Sequence, residues 1–355
     1  TRCSRFSRAL FILPIIVFYS LPNEVANLNS NFHLERQFEC RKSGSWIKTK
    51  LPAYNYSAES CTIDYRQSCK KSKSALYRWS EKKGCTKVQV DKAVLENIFA
   101  SGSIYFVGDS LARNMKESLA CIVSSYDISG IISYYSTYIP FQITSSGKKK
   151  GVKKRKIDLR SSIFSYDSNL KKEISKELKN VSVLVLMFGH HFNAPFNRFE
   201  GPRTPLMTAY ELGVRTMIKD LENLSFKSPV VWVSYSPSHF DSGWNMGGSC
   251  SSFKVPSKKP HVFKQAGYSA RDWNRALLNA LEDSPATHYF LDITTPSEFR
   301  SDAHPNKMIL KTRQDCVHWC LPGVADTWNE LLIDIIIRIR ASPDKKGKRT
   351  GLPVY

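Results

Sequence analysis

Ser103-Ile-Tyr-Phe-Val-Gly-Asp-Ser-Leu-Ala-Arg-Asn-Met115 carries the change of period that decides the fold. Ser103–Val107 is a short apolar run that ends in Gly-Asp-Ser. From Leu111 to Val123 the apolar residues Leu111, Met115, Leu119 and Ile122 recur at helical spacing. The stretch reads as strand, tight turn, helix, with Ser110 just beyond the strand.

The same alternation continues toward the C-terminus. Val181–Phe188 is almost wholly apolar, as expected of a strand buried on both faces. Leu206–Leu224 reads as an amphipathic helix, Val230–Val233 as a second buried strand, Ala270–Leu281 as a helix and Tyr289–Ile293 as a strand. Val324–Ile339 is a closing helix. Strands alternating with helices predict an α/β fold, a parallel sheet covered on both faces. Active sites of such sheets lie beyond the carboxyl ends of the strands, where Ser110 falls. No internal repeat is present.

Toward the N-terminus the character changes. Residues 40–100 hold Cys40, Cys61, Cys69 and Cys85 with little periodicity, and read as a stapled, loop-rich cap. Residues 22–39 are a polar, Asn-rich stem. Residues 9–21 are apolar except for Ser20 and follow Arg2, Arg5 and Arg8. That run is shorter than the roughly 20 residues of a membrane span. A cleaved signal peptide fits its length. A signal anchor with its basic end, residues 1–8, in the cytosol fits its charge asymmetry. A buried helix is the bland alternative. Residues 101–341 form the expected catalytic domain and residues 342–355 a basic tail.

The 355 residues are 42% hydrophobic, which suits a globular core, and carry a formal charge of +21. The excess favours an anionic partner but says nothing of fold. Much of it sits in Lys148–Lys156 and Lys345–Arg349, which read as a solvated loop and a disordered end. Binding of a polyanion is the sharper alternative. Apart from Cys3, the eight cysteines Cys40, Cys61, Cys69, Cys85, Cys121, Cys250, Cys316 and Cys320 form an even set. With the apolar leader they predict disulfides in an oxidising compartment. The sequons at Asn55, Asn180 and Asn223 agree. There is no P-loop and no G-x-G-x-x-G, so nucleotide binding has no motif behind it, and no nucleic-acid partner is expected.

Asp315-Cys-Val-His-Trp-Cys320 supplies the chemistry. A serine hydroxyl is a weak nucleophile until a base takes its proton, and that base must be held in one tautomer. Ser110 is the candidate nucleophile, His318 the base and Asp315 the orienting carboxylate. Asp315 and His318 come from one turn, so only Ser110 must be brought in by the fold. The helix start also aims backbone N–H groups at a developing oxyanion. Alternatives stand beside this. Gly-Asp-Ser also serves as a turn with a helix N-cap. Asp-x-x-His also forms capping pairs or metal ligands, and Cys316, His318 and Cys320 are zinc-compatible. No C-x-x-C is present and an oxidising lumen favours disulfides, so no metal is expected.

These residues resemble the SGNH/GDSL esterase superfamily, and within it the trichome-birefringence-like polysaccharide O-acetyltransferases of the PC-esterase group. The likeness rests on Phe106–Asn114, on Ser236-Pro-Ser-His-Phe240 leading to Gly243–Cys250, on Phe299-Arg-Ser-Asp-Ala-His304, and on Asp315–Asn329. It implies a three-layer α/β/α SGNH-like domain on a single-pass type II Golgi membrane protein, catalytic domain lumenal. It implies acetyl transfer through an acetyl-serine to hydroxyls of a cell-wall polysaccharide of the xylan, mannan or pectin type. It implies no bound cofactor. Acetyl-CoA or another carrier is the co-substrate, free or delivered by a membrane protein. The triad carries over as Ser110, His318 and Asp315. Ser110 N–H, Arg113 and Gly189 would support the oxyanion and its loop. The disulfides implied are Cys40–Cys85, Cys61–Cys121, Cys69–Cys320 and Cys250–Cys316.

His190, Asn193, His239, Trp244 and Trp319 are candidate substrate contacts, the two tryptophans because sugars stack on aromatics. Trp319 reads equally well as a core residue. The family's Asn-Thr-Gly-His-Trp-Trp is Met187-Phe-Gly-His-His-Phe192 here, so a polar Asn is replaced by Met187, and Asn193 could stand in for it. Two other functions fit the residues: a secreted carbohydrate esterase with the same triad, and a non-catalytic module gripping an acidic glycan.

Overall fold

A computed structural model describes residues 44–54, 56, 61, 69, 74–82, 85, 88–100, 102–137, 141–149, 152–162, 181–192, 205–241, 248–265, 267–284, 288–305, 308–310 and 313–341. The leader, the stem and the basic tail lie outside them, as do Cys40, Asn55, Asn180, Asn193 and Trp244. Among the described residues no helix is long and apolar enough to cross a membrane.

The elements in chain order are β1 (Gly44–Lys48), β2 (Tyr77–Glu81), α1 (Lys92–Ala100), β3 (Ser103–Gly108), α2 (Ser110–Ser124), β4 (Ile132–Ser136), β5 (Phe141–Lys149) and β6 (Val152–Ser162). Then come β7 (Val181–Met187), α3 (Leu206–Asn223), β8 (Val230–Val233), α4 (Ala270–Glu282), β9 (His288–Leu291) and α5 (Val324–Ala341), with short turns and bridges between them. The main sheet runs β9-β8-β7-β3-β4, every pairing parallel. The predicted doubly covered parallel sheet is therefore present.

Strand alternation sorts the core into two sets. Ile104, Phe106, Val183, Val185, Val231 and Leu291 face α1, α2 and α5. Tyr105, Val107, Leu184, Leu186, Val230 and Trp232 face α3 and α4. Period-2 strands between amphipathic helices leave both sheet faces dry, which makes three layers. Gly108 ends β3 in close contact with β7. A Cβ there would lie 2.1 Å from the Met187 carbonyl oxygen, so no larger residue fits without moving the turn that carries Ser110.

Two segments depart from the sequence reading. Of the lysine-rich run, expected as a loop, residues 148–149 and 152–156 lie in the paired strands of the antiparallel β5–β6 hairpin, with Lys148 opposite Lys153. Main-chain pairing and an anchor at its base form it, since Ser162 N–H and Oγ both donate to Asp220 on α3 at 3.0 and 2.5 Å. The cap is also more regular than expected. It contains the antiparallel pair β1–β2 and α1, whose Leu95 and Ile98 enter the same core as α2 and α5.

Polar bonds tie this N-terminal segment to the sheet domain. Trp46 Nε1 donates to the Pro296 carbonyl at 2.8 Å. The buried Arg300 guanidinium lies 4.3 Å from the Trp46 ring centre and bonds Ser74 O and Asp302. Tyr54 donates to Glu330, and Tyr56 to Asp326. Asp326 also accepts from Ser118 Oγ at 2.6 Å and Gly323 N–H at 2.8 Å.

Burial outweighs those donors and pushes the Asp326 carboxyl up to about 7, with the Glu330 carboxylate adding to the rise. A folded-state value above the ordinary 3.8 means the protonated acid favours the folded chain. That stability is complete below about pH 4 and is lost as pH rises through about 7, on the order of 4 kcal/mol in total. Asp326→Asn is therefore expected to flatten the fall in urea midpoint across that window. An unchanged slope would refute the assignment.

Candidate active site

The site forms where β3 hands over to α2. Asp109 is the N-cap of α2, its Oδ1 accepting the Leu111 N–H at 2.9 Å. Ser110 is the first helical residue, so its N–H has no intrahelical acceptor and sits at the positive end of the helix. Burial pushes the Asp109 carboxyl up, opposed by nearby His191 and the Leu111 N–H. The opening also shares an edge with β4, because Thr137 N–H donates to the Gly108 carbonyl at 2.8 Å.

The second half of the site comes from the loop before α5. His318 Nε2 lies 2.7 Å from Ser110 Oγ. His318 Nδ1 lies 2.9 and 3.1 Å from the two Asp315 carboxylate oxygens. Asp315 Oδ1 also accepts the main-chain N–H of His318 at 3.0 Å and of Val317 at 3.3 Å. A carboxylate cannot donate, so Nδ1 carries the hydrogen and Nε2 presents a lone pair to the serine hydroxyl. Asp315 is buried, and burial alone would raise its carboxyl. The hydrogen bonds from the His318 ring and from the two backbone donors outweigh that and hold it below its ordinary value. Ser110 and His318 remain partly open to solvent, so a substrate can reach them. The arrangement can deprotonate a serine hydroxyl in place.

Disulfides hold the loop at both ends. Cys250–Cys316 binds the residue after Asp315, and Cys69–Cys320 ties the far end to the N-terminal segment, with Cα separations of 5.8 and 5.4 Å. Cys61–Cys121 joins that segment to α2. Cys85 is also disulfide-bonded; Cys40, its expected partner, lies outside the described residues. Among the described residues no group of histidine, cysteine and carboxylate side chains is arranged to hold a metal.

Several expected contacts are placed otherwise. Trp319 is not a sugar platform: it is fully buried, packs on Trp328 and His304, and donates Nε1 to Ser236 Oγ at 2.8 Å. Its indole is wrapped from all sides because the loop turns it inward behind His318. His239 is likewise buried, bonded to His304, and cannot meet substrate. His190 is 6% exposed, stacks on Tyr235 at 4.3 Å and donates Nε2 to the Ser236 carbonyl at 2.6 Å. Burial holds its pKa down at about 3. Gly189 adopts φ +141°, and a Cβ there would come within 2.7 Å of the Tyr235 ring. Arg113 lies 3.7 Å from Glu117, one turn along α2. Asn223 is exposed at the end of α3, open to glycosylation. Asn114 and His304, to which sequence reasoning gave no role, both bond the peptide that follows His318. The Arg-Asn after Gly-Asp-Ser was the signal for Asn114; His304 had none beyond its motif.

The chain is 28% identical over 352 residues to "Protein trichome birefringence-like 13" of Arabidopsis thaliana, covering 84% of each. It is 25% identical over 358 residues to "Xyloglucan O-acetyltransferase 1" of Populus trichocarpa, covering 83% of this chain and 80% of that one. Among solved structures, the periplasmic domain of a lipopolysaccharide acetyltransferase from Salmonella ser. Paratyphi A overlays with a TM-score of 0.38 at 17% identity, over 70% of this chain and 90% of that one. Residues 90–335, most of the chain, match the PC-esterase family, and the protein belongs to it: a GDSL/SGNH-like acyl-esterase family found in Pmr5 and Cas1p.

Proposed function

We propose that the protein is a polysaccharide O-acetyltransferase of the Golgi lumen that works through an acetyl-serine at Ser110. The observation that carries this reading is the 2.7 Å approach of His318 Nε2 to Ser110 Oγ with Asp315 behind it. Ser110 Oγ attacks the donor's acyl carbon while His318 Nε2 takes its proton. The oxyanion forms against the Ser110 N–H at the start of α2. His318 returns the proton to the donor's leaving group, and the acetyl stays on Ser110. An acceptor hydroxyl then gives its proton to His318 and attacks the acetyl carbon. Ser110 Oγ leaves and recovers the proton.

Transfer to sugar is supported by relatives named for xyloglucan O-acetylation. The acceptor is proposed as a cell-wall polysaccharide, and the donor as acetyl-CoA or an acetyl-carrying membrane protein. The lumenal placement is supported by the basic-then-apolar leader and by disulfides, which persist in oxidising compartments.

The test is mass spectrometry of the protein after exposure to an acetyl donor, then chromatography of added oligosaccharides. Acetyl on Ser110, transferred to sugar, is expected. Release of free acetate alone would replace transfer by hydrolysis, and a label on another residue would remove the serine mechanism.

A further inference from the structure

The peptide group joining His318 to Trp319 is held at both of its polar atoms by buried side chains. The Trp319 N–H donates to Asn114 Oδ1 at 2.8 Å, and Asn114 Nδ2 reaches the Trp319 carbonyl at 3.3 Å. The His318 carbonyl is bonded to His304 Nδ1 at 2.7 Å. Asn114 stands one helical turn beyond Ser110 on α2, and His304 follows the short turn Ser301–Ala303. The nucleophile's own helix therefore grips the loop that carries the base.

The protons in this chain follow from the partners. A carbonyl only accepts, so His304 Nδ1 carries its hydrogen. Burial holds His304 down at about 4, so its ring is neutral and Nε2 is a lone pair. His239 Nδ1, 2.7 Å away, must then donate. Burial, then the neighbouring His304, keeps His239 neutral as well, which leaves a lone pair on its Nε2. That nitrogen faces the Glu298 carbonyl, itself only an acceptor. Two acceptors make no bond, and His239 Nε2 is unpaired. The unsatisfied atom sits at the far end of the chain, and the bond beside the base is kept.

We propose that Asn114 and His304 are positioning residues of the active site, locking the 318–319 peptide plane so that His318 Nε2 points at Ser110. The inference rests on the serine–histidine mechanism above. Asp315 restrains the imidazole and the N–H side of His318; Asn114 and His304 restrain its carbonyl side. Neither touches a reacting atom. Without them the peptide can rotate and swing Nε2 out of reach of the hydroxyl, and misplacement on the ångström scale costs about 10²-fold in rate.

Two variants at one position separate positioning from packing. His304→Phe keeps a ring against Trp319 but has no donor. His304→Asn puts an amide N–H near the place of Nδ1 but leaves a void. Positioning predicts that His304→Phe lowers kcat about 10²-fold at unchanged KM, and that His304→Asn recovers about tenfold or more of that loss. The reverse order, with Phe the more active, overturns the proposal. If thermal unfolding shows that the variants do not fold, imidazole nitrogen NMR of the unsubstituted protein decides. Nδ1–H tautomers at both His304 and His239 support the clamp, and an Nε2–H tautomer at His304 overturns it. Ser110→Ala runs alongside. If it is dead while His304→Phe keeps the full rate, the clamp falls and the serine mechanism stands. If Ser110→Ala keeps its rate, both fall.

Discussion

Ser110→Ala is expected to lower acetyl transfer by about 10⁴-fold or more and to leave the unfolding midpoint nearly unchanged. The hydroxyl makes one side-chain hydrogen bond, to His318, and both residues are partly open to water. Removing it leaves no buried group stranded, so the stability change should fall within about 0.5 kcal/mol. The acetylated species should vanish from the mass spectrum together with the activity. Residual transfer within tenfold of the unsubstituted rate would mean that the acyl group never visits Ser110.

Asp315→Asn should cost nearly as much, for a different reason. The carboxylate can only accept, which forces the hydrogen of His318 onto Nδ1 and the lone pair onto Nε2. An amide in the same place offers its NH₂ to Nδ1. The imidazole then keeps its hydrogen on Nε2, facing Ser110, and cannot take the serine proton. A loss of about 10⁴-fold in kcat is expected, with the fold retained because the amide oxygen can still accept the His318 and Val317 N–H groups. The substitution also removes an acid-sensitive contribution to stability. Asp315 has a lowered folded-state pKa, so its contribution to stability is present above the ordinary carboxylate range and is lost as pH falls through its folded value. The variant should therefore show a shallower loss of stability in acid. Kinetics at neutral pH and urea titrations at acid pH check the two halves. Full activity in Asp315→Asn would show that tautomer control is not what this carboxylate does.

The nucleophile turn was legible because its signal is local. An apolar run, then Gly-Asp-Ser, then Leu111, Met115, Leu119 and Ile122 at helical spacing needs no distant contact to be read. The helices Leu206–Asn223 and Val324–Ala341 were found for the same reason. The β5–β6 hairpin was not, because the consecutive polar runs Thr144–Lys149 and Lys153–Lys156 interrupt any apolar stripe, and pairing across the hairpin cannot be seen along one strand. Strand β4 escaped as well. It lies at the sheet edge, and its Ile-Ser-Tyr-Tyr-Ser stretch is only half buried.

The local chemistry was settled by the chain itself: which residue is the nucleophile candidate, and that Asp315 and His318 sit on one turn. Residues within a few positions of each other share backbone geometry that composition and spacing dictate. Whether His318 reaches a serine some two hundred positions earlier was decided only by tertiary packing. So was the inward turn of Trp319, which looked equally suited to sugar or core. The bonds of Asn114 and His304 to the same peptide belong there too. Those outcomes depend on which face of each element is desolvated, and desolvation is a property of the assembled layers, not of any stretch of sequence.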